Sequence, residues 1–112
     1  MLGSIRKPVI AACNGLAFGG GFEVLLQCDI AVASPDAKVG LPEVTIGVIP
    51  GAGGTQRLPR YISKSNAMEM ILTGEPIDAE TAKERGIFSH IFPKEQLIEE
   101  TVKLAKKIER HS

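Results

Sequence analysis

The sequence predicts an α/β fold in which strands alternate with helices and do not pair as hairpins. Three observations carry this. The apolar run PVIAAC at 8–13 has the texture of a strand buried on both faces, the kind found in parallel sheets, and DIAVAS at 29–34 reads as a second strand. Other segments carry helix start and stop signals at their ends. The strands and helices alternate along the chain, which is the order of an α/β unit.

The elements can be taken in turn. The first run ends at Asn14-Gly15, a turn signal, and Gly19-Gly20-Gly21 then leads into a short, mostly apolar helix predicted at 22–28. The strand at 29–34 closes in the turn Ser34-Pro35-Asp36. Lys38 to Leu41 is a brief extended segment, and Pro42 keeps Leu41 out of helical geometry. Residues 46–57 read as loop, with Gly47, Pro50, Gly51, Gly53 and Gly54 inside eight positions. Ser65 is expected to cap a helix at 66–73, with Gly74 past its end. Asp78 caps 79–85, with Glu80 in the first turn and Lys83 and Arg85 in the last. Ile87 to Phe92 reads as a strand. Pro93 opens an amphipathic helix to about Arg110, with Leu97, Thr101, Leu104 and Ile108 on one stripe.

Composition narrows the function. Thirteen Lys and Arg balance thirteen Asp and Glu over 112 residues, so no global field gathers nucleic acid or an anionic membrane. No apolar stretch approaches the ~18–20 residues of a bilayer span. The first residues lack the pattern of a signal or transit peptide, which points to the cytoplasm, or to the mitochondrion if a targeting segment is missing from the N-terminus. Cys13 and Cys28 with His90 and His111 make no convincing metal site, and both cysteines read as reduced. Charge is unevenly spread. Residues 1–59 hold four basic and four acidic residues, and 60–112 hold nine of each, while ten of the twelve glycines lie in 1–54. The chain thus reads as one unit with a packed, turn-rich first half and a solvated second half.

Three features bear chemistry. A triple glycine between strand and helix permits positive φ and close ligand approach, and helix-start N–H groups favour negative charge. The triple-glycine bend therefore has the makings of an oxyanion hole; close packing of the helix on the strand is the other reading. It is not a dinucleotide fingerprint, since the GxGxxG spacing is missing. Glu23 lies one turn into an otherwise apolar helix, where a carboxylate is costly unless paired, protonated or used. The alternative is a surface acid favoured by the helix dipole. Glu43 lies on a loop before a second glycine-rich segment and reads either as an exposed loop acid or as its partner. No Ser-His-Asp or Cys-His arrangement competes. Taken together, two carboxylates near anion-binding amides point to a lyase or isomerase site.

These residues fall in a longer pattern. KPVIAACNGLAFGGGFE at 7–23, CDIAVA at 28–33, GLPE at 40–43, GVIPGAGGTQRLPR at 47–60, MEMILTG at 68–74 and AKERG at 82–86 resemble the enoyl-CoA hydratase/isomerase (crotonase) family. The resemblance covers nearly the whole chain. It implies a partial crotonase-like spiral of ββα turns, with residues 1–112 as the central part of the domain and its N-terminal and C-terminal portions absent. It implies a coenzyme A thioester as substrate, no separate cofactor and no metal. By analogy Glu23 and Glu43 are the catalytic pair, Gly20 supplies an oxyanion-hole N–H, and Gly51 positions the water. A pair of acids favours reversible hydration of trans-2-enoyl-CoA to 3-hydroxyacyl-CoA, as in fatty-acid β-oxidation. Double-bond isomerisation, or an inactive remnant that binds acyl-CoA or joins oligomers, are the alternatives. Full-length relatives are expected to form homotrimers or hexamers.

Overall fold

A computed structural model describes residues 7–41 and 62–110. Among these residues the chain winds as a spiral that feeds two three-stranded sheets by turns. Strand β1 (Ile10–Cys13) lies in the first sheet, β2 (Leu16–Phe18) in the second, and helix α1 (Gly20–Gln27) returns the chain to the first. Strand β3 (Ile30–Ala33) then pairs with β1, and β4 (Lys38–Gly40) with β2, both parallel. After helix α2 (Lys64–Thr73) come β5 (Ile77–Asp78), antiparallel to β4, helix α3 (Ala79–Glu84), and β6 (His90–Ile91), parallel to β3. A short 3-10 turn, Lys94–Gln96, leads into helix α4 (Leu97–Glu109). The sheet orders are β1-β3-β6 and β2-β4-β5. This is the α/β spiral of ββα turns that the sequence led us to expect.

The spiral has a definite pitch in sequence. Ile10 pairs with Ile30, twenty residues on, and Leu16 with Lys38, twenty-two on. The core lies between the sheets and the helices: Phe22, Leu25 and Leu26 of α1, Val39 and Leu41 around β4, Ala67 and Met70 of α2, and Phe88 before β6.

Several predicted elements shift. The first glycine-flanked helix starts at Gly20 and ends at Gln27, instead of running 22–28, because Gly19 supplies the turn into it. The strand expected across 87–92 contracts to His90–Ile91, and Ile87 and Phe88 go into the core. β1 is half-buried along Ile10–Ala12, not covered on both faces, since it borders its sheet among the described residues. The cap of α2 is Ser63, whose Oγ accepts the Asn66 N–H at 3.3 Å, and not Ser65. Strand β2 was hidden from pattern reading because only three residues separate the Asn14-Gly15 turn from the glycines. The loop at 46–57 lies outside the described residues.

Candidate active site

The glycine bend is built from backbone geometry. Gly19 has φ 52° and ψ −121°, a region that a side chain makes costly. Its N–H donates to the Gly40 carbonyl at 3.1 Å, tying the bend to the end of β4. Its carbonyl accepts the Glu23 N–H at 3.0 Å, opening α1. The peptide between Gly19 and Gly20 is planar and trans, so its N–H points opposite to its C=O. With the Gly19 carbonyl aimed into α1, the Gly20 N–H is aimed out beyond the start of the helix. Together with those of Gly21 and Phe22 it has no acceptor within the helix, and α1 has no side-chain cap.

Packing does not demand glycine here. Among the described residues, a Cβ built on Gly20 or Gly21 meets no atom within 4 Å. The close-packing reading of the triple glycine therefore fails at these two positions. What glycine provides is the turn at Gly19 and an uncovered backbone at Gly20.

Glu23 stands three residues after Gly20, where helical periodicity returns a side chain to the same face. It is only 2% exposed, packed in the helix with Phe22, Leu25 and Leu26, and both its carboxylate oxygens are shielded from solvent. The reading of Glu23 as a surface acid is thus overturned. The first turn of α1 favours a negative charge through the helix dipole. Glu43 and Gly51 lie outside the described residues.

Sequence reasoning passed over Gly40. A Cβ there would lie 3.0 Å from the Pro76 Cα and 3.4 Å from its Cβ, tighter than side-chain carbons ordinarily sit. Gly40 is buried, its carbonyl holds Gly19, and Leu41 after it is fully buried. A glycine inside a strand pattern is the available signal for such a close backbone approach.

The other reactive groups among the described residues do not assemble a rival site. Burial pushes the Cys13 thiol up from its ordinary value, as it does that of Cys28 with the Asp29 charge adding to it, so neither is a ready thiolate. Both are free cysteines. His90 stacks on Phe92 with ring centroids 5.3 Å apart. The described residues contain no cluster of three metal-ligating side chains, and none of their helices is long and apolar enough to cross a membrane. An open groove of about 240 Å³ runs beside the bend, lined by Ala12, Leu16, Gly21, Val24 and Leu25 among others. A larger cavity of about 360 Å³ lies away from Glu23, beside the Arg85–Glu69 ion pair.

Comparison with known proteins fits this geometry. The enoyl-CoA hydratase/isomerase family matches residues 1–112. The chain is 55% identical over 111 residues to the mitochondrial enoyl-CoA hydratase of Pongo abelii, covering 99% of this chain and 38% of that protein. It is 50% identical, over the same share of this chain, to the 2,3-dehydroadipyl-CoA hydratase of Escherichia coli strain K12, 44% of which is covered. Among solved structures, an enoyl-CoA hydratase from Bacillus anthracis superposes with a TM-score of 0.94 at 48% identity. That match covers 96% of this chain and 42% of the other. The chain thus spans less than half the length of these relatives.

Proposed function

This chain belongs to the enoyl-CoA hydratase/isomerase family, and on that footing we propose that it contributes the catalytic centre of a hydratase adding water to trans-2-enoyl-CoA. In that addition the water oxygen bonds to C3 and a proton to C2, giving 3-hydroxyacyl-CoA. The coenzyme A thioester is the substrate, and the reaction is redox-neutral. As C3 is attacked, charge develops on the thioester oxygen. The outward Gly20 N–H is suited to receive it, and one such donor is typically worth about 10²–10³ in rate.

Glu23 takes the proton from water as it attacks C3, and Glu43 supplies the proton at C2. Because the two acids share one water, they titrate as a pair. Gly51 holds the water through its backbone N–H. The observation that carries this reading is the burial of Glu23 one turn after the Gly20 amide that points out of the helix. Two sequence relations support a role for Glu43. It follows Glu23 by twenty residues, the same spacing that separates Ile10 from its pairing partner Ile30 in the next turn of the spiral. It also follows Gly40 by three, and extended chain covers only about 3.6 Å per residue, while the Gly40 carbonyl itself bonds to Gly19. Assembly as a trimer or hexamer, and a cytoplasmic or mitochondrial setting, accompany the same reading.

The test is loss of the conjugated enoyl-thioester absorbance on mixing with crotonyl-CoA. Glu23→Gln and Glu43→Gln keep size and lose proton transfer, so each should lower kcat by about 10²–10⁴, with KM little changed. Variants that hydrate as fast as the parent protein would remove both residues from the mechanism. Retained double-bond migration without hydration would instead favour the isomerase branch.

A further inference from the structure

We propose that Gly40 is a positioning residue for the Gly20 amide, acting as a clamp between Pro76 and the glycine bend. The inference deepens the hydratase reading and rests on it for the meaning of the Gly20 N–H, but the clamp itself can be tested separately.

The argument follows the covalent chain. The direction of the Gly20 N–H is set by the plane of the Gly19–Gly20 peptide. Two hydrogen bonds fix the residue before that plane: the Gly19 N–H to the Gly40 carbonyl at 3.1 Å, and the Glu23 N–H to the Gly19 carbonyl at 3.0 Å. The second lies within α1 and would move with the helix. Among the described residues, the first is the one that ties the bend to another element. Its acceptor, Gly40, is held at the end of β4 by register with Phe18 on one side and by the Pro76 backbone on the other. β5 starts one residue after Pro76 and pairs Ile77 with Val39, so the wall behind Gly40 is itself hydrogen-bonded to β4.

Glycine lets this stack close without displacement. An alanine at 40 puts its methyl 3.0 Å from a backbone carbon, which no rotamer change relieves, so the end of β4 or Pro76 must give by a few tenths of an ångström. With Pro76 backed by the β4–β5 pairing, the shift falls on β4 and carries the Gly40 carbonyl away from Gly19. The Gly19–Gly20 peptide is then free to tilt, although no residue in contact with the thioester has changed. Val39 offers the control. It is fully buried one position earlier in the same strand, so Val39→Ala weakens packing without touching the approach to Pro76.

Amide hydrogen exchange on the 15N-labelled protein reads the clamp directly. In the parent protein the Gly19 amide should exchange at least tenfold more slowly than those of Gly20 and Gly21, and comparable rates at all three would overturn the proposal without any variant. In Gly40→Ala, Gly19 protection relative to the β3 amides should fall at least tenfold, whereas in Val39→Ala the ratio should hold while both decline together. Equal loss of the ratio in the two variants would reduce Gly40 to a packing role. Should Gly40→Ala not fold, Pro76→Gly removes the ring that backs Gly40 and should lower the same ratio to a smaller extent; an unchanged ratio there counts against the clamp. Butyryl-CoA, a saturated thioester, adds the functional readout: the Gly20 amide resonance should move on its addition in the parent and in Val39→Ala, but not in Gly40→Ala. No movement in the parent, with the exchange ratios as predicted, would overturn the hydratase reading and leave the clamp standing.

Discussion

Helices α1 and α4 solve the same problem in opposite ways. Helix α1 has eight residues, starts on a glycine with no side-chain cap, and buries Phe22, Glu23, Leu25 and Leu26. Helix α4 has thirteen, and only Leu97 is fully buried. Its first turn carries Glu99 and Glu100 and its last Lys106 and Lys107, in the order the helix dipole favours, and Lys103 reaches back to Glu100 at 3.1 Å. α4 is specified locally and sits on the surface. α1 is specified by what surrounds it, and that dependence is what allows it to hold a carboxylate inside the protein. The difference teaches that the site lies where local helix rules are weakest.

Mutation can sharpen this contrast. The largest stability effect is expected at Phe22→Ala, which empties a fully buried site in the core and should cost about 3–5 kcal/mol, read as a lower urea midpoint at unchanged slope. Ile98, 66% exposed on α4, should tolerate alanine within about 0.5 kcal/mol. An effect at Ile98 as large as at Phe22 would break the comparison. A smaller step is expected at the start of α2. Ser63→Ala should cost about 1 kcal/mol through loss of its cap, and Ser65→Ala next to nothing. The reverse order would restore the cap suggested by sequence.

Acid titration probes a link between the two halves. The Ser34 hydroxyl, followed by the Lys94 ammonium, holds the Asp36 carboxyl below its ordinary value near 3.8. Lys94 lies 58 residues from Asp36, so this pair joins the turn after β3 to the approach to α4. A carboxyl lowered in the folded state contributes stability above the ordinary value and loses it as pH falls through the folded value. Lys94→Ala should therefore raise the Asp36 midpoint toward 3.8, followed by the carboxyl carbon resonance. The smallest effect is reserved for Lys103→Ala, whose pairs with Glu99 and Glu100 are exposed and should leave the thermal midpoint unchanged within error.

How far the sequence discloses this molecule depends on where information is stored. The helices from Lys64 onward were legible because caps and dipole-ordered charges are local, and even there Ser63 and Ser65 differ only by which serine meets the Asn66 N–H. That PVIAAC and DIAVAS are strands was legible because both runs are short and apolar, whereas their pairing with each other came from the fold. Strand β2 was not, being too short for a period to show. Glu23 was found by its oddity in an apolar helix, but its burial had to come from the fold. Gly40 was missed for a different reason: its contact with Pro76 spans 36 positions and leaves no mark in either neighbourhood.

The central claim is that Glu23, Glu43 and the Gly20 amide serve one thioester. A crystal structure of the protein with a saturated acyl-CoA measures this most directly. The account predicts the thioester oxygen about 2.7–3.1 Å from the Gly20 nitrogen, with both carboxyl groups facing the acyl carbon two bonds from the thioester carbon. Carboxyl groups opening into separate cavities, or a thioester oxygen held elsewhere, would contradict it.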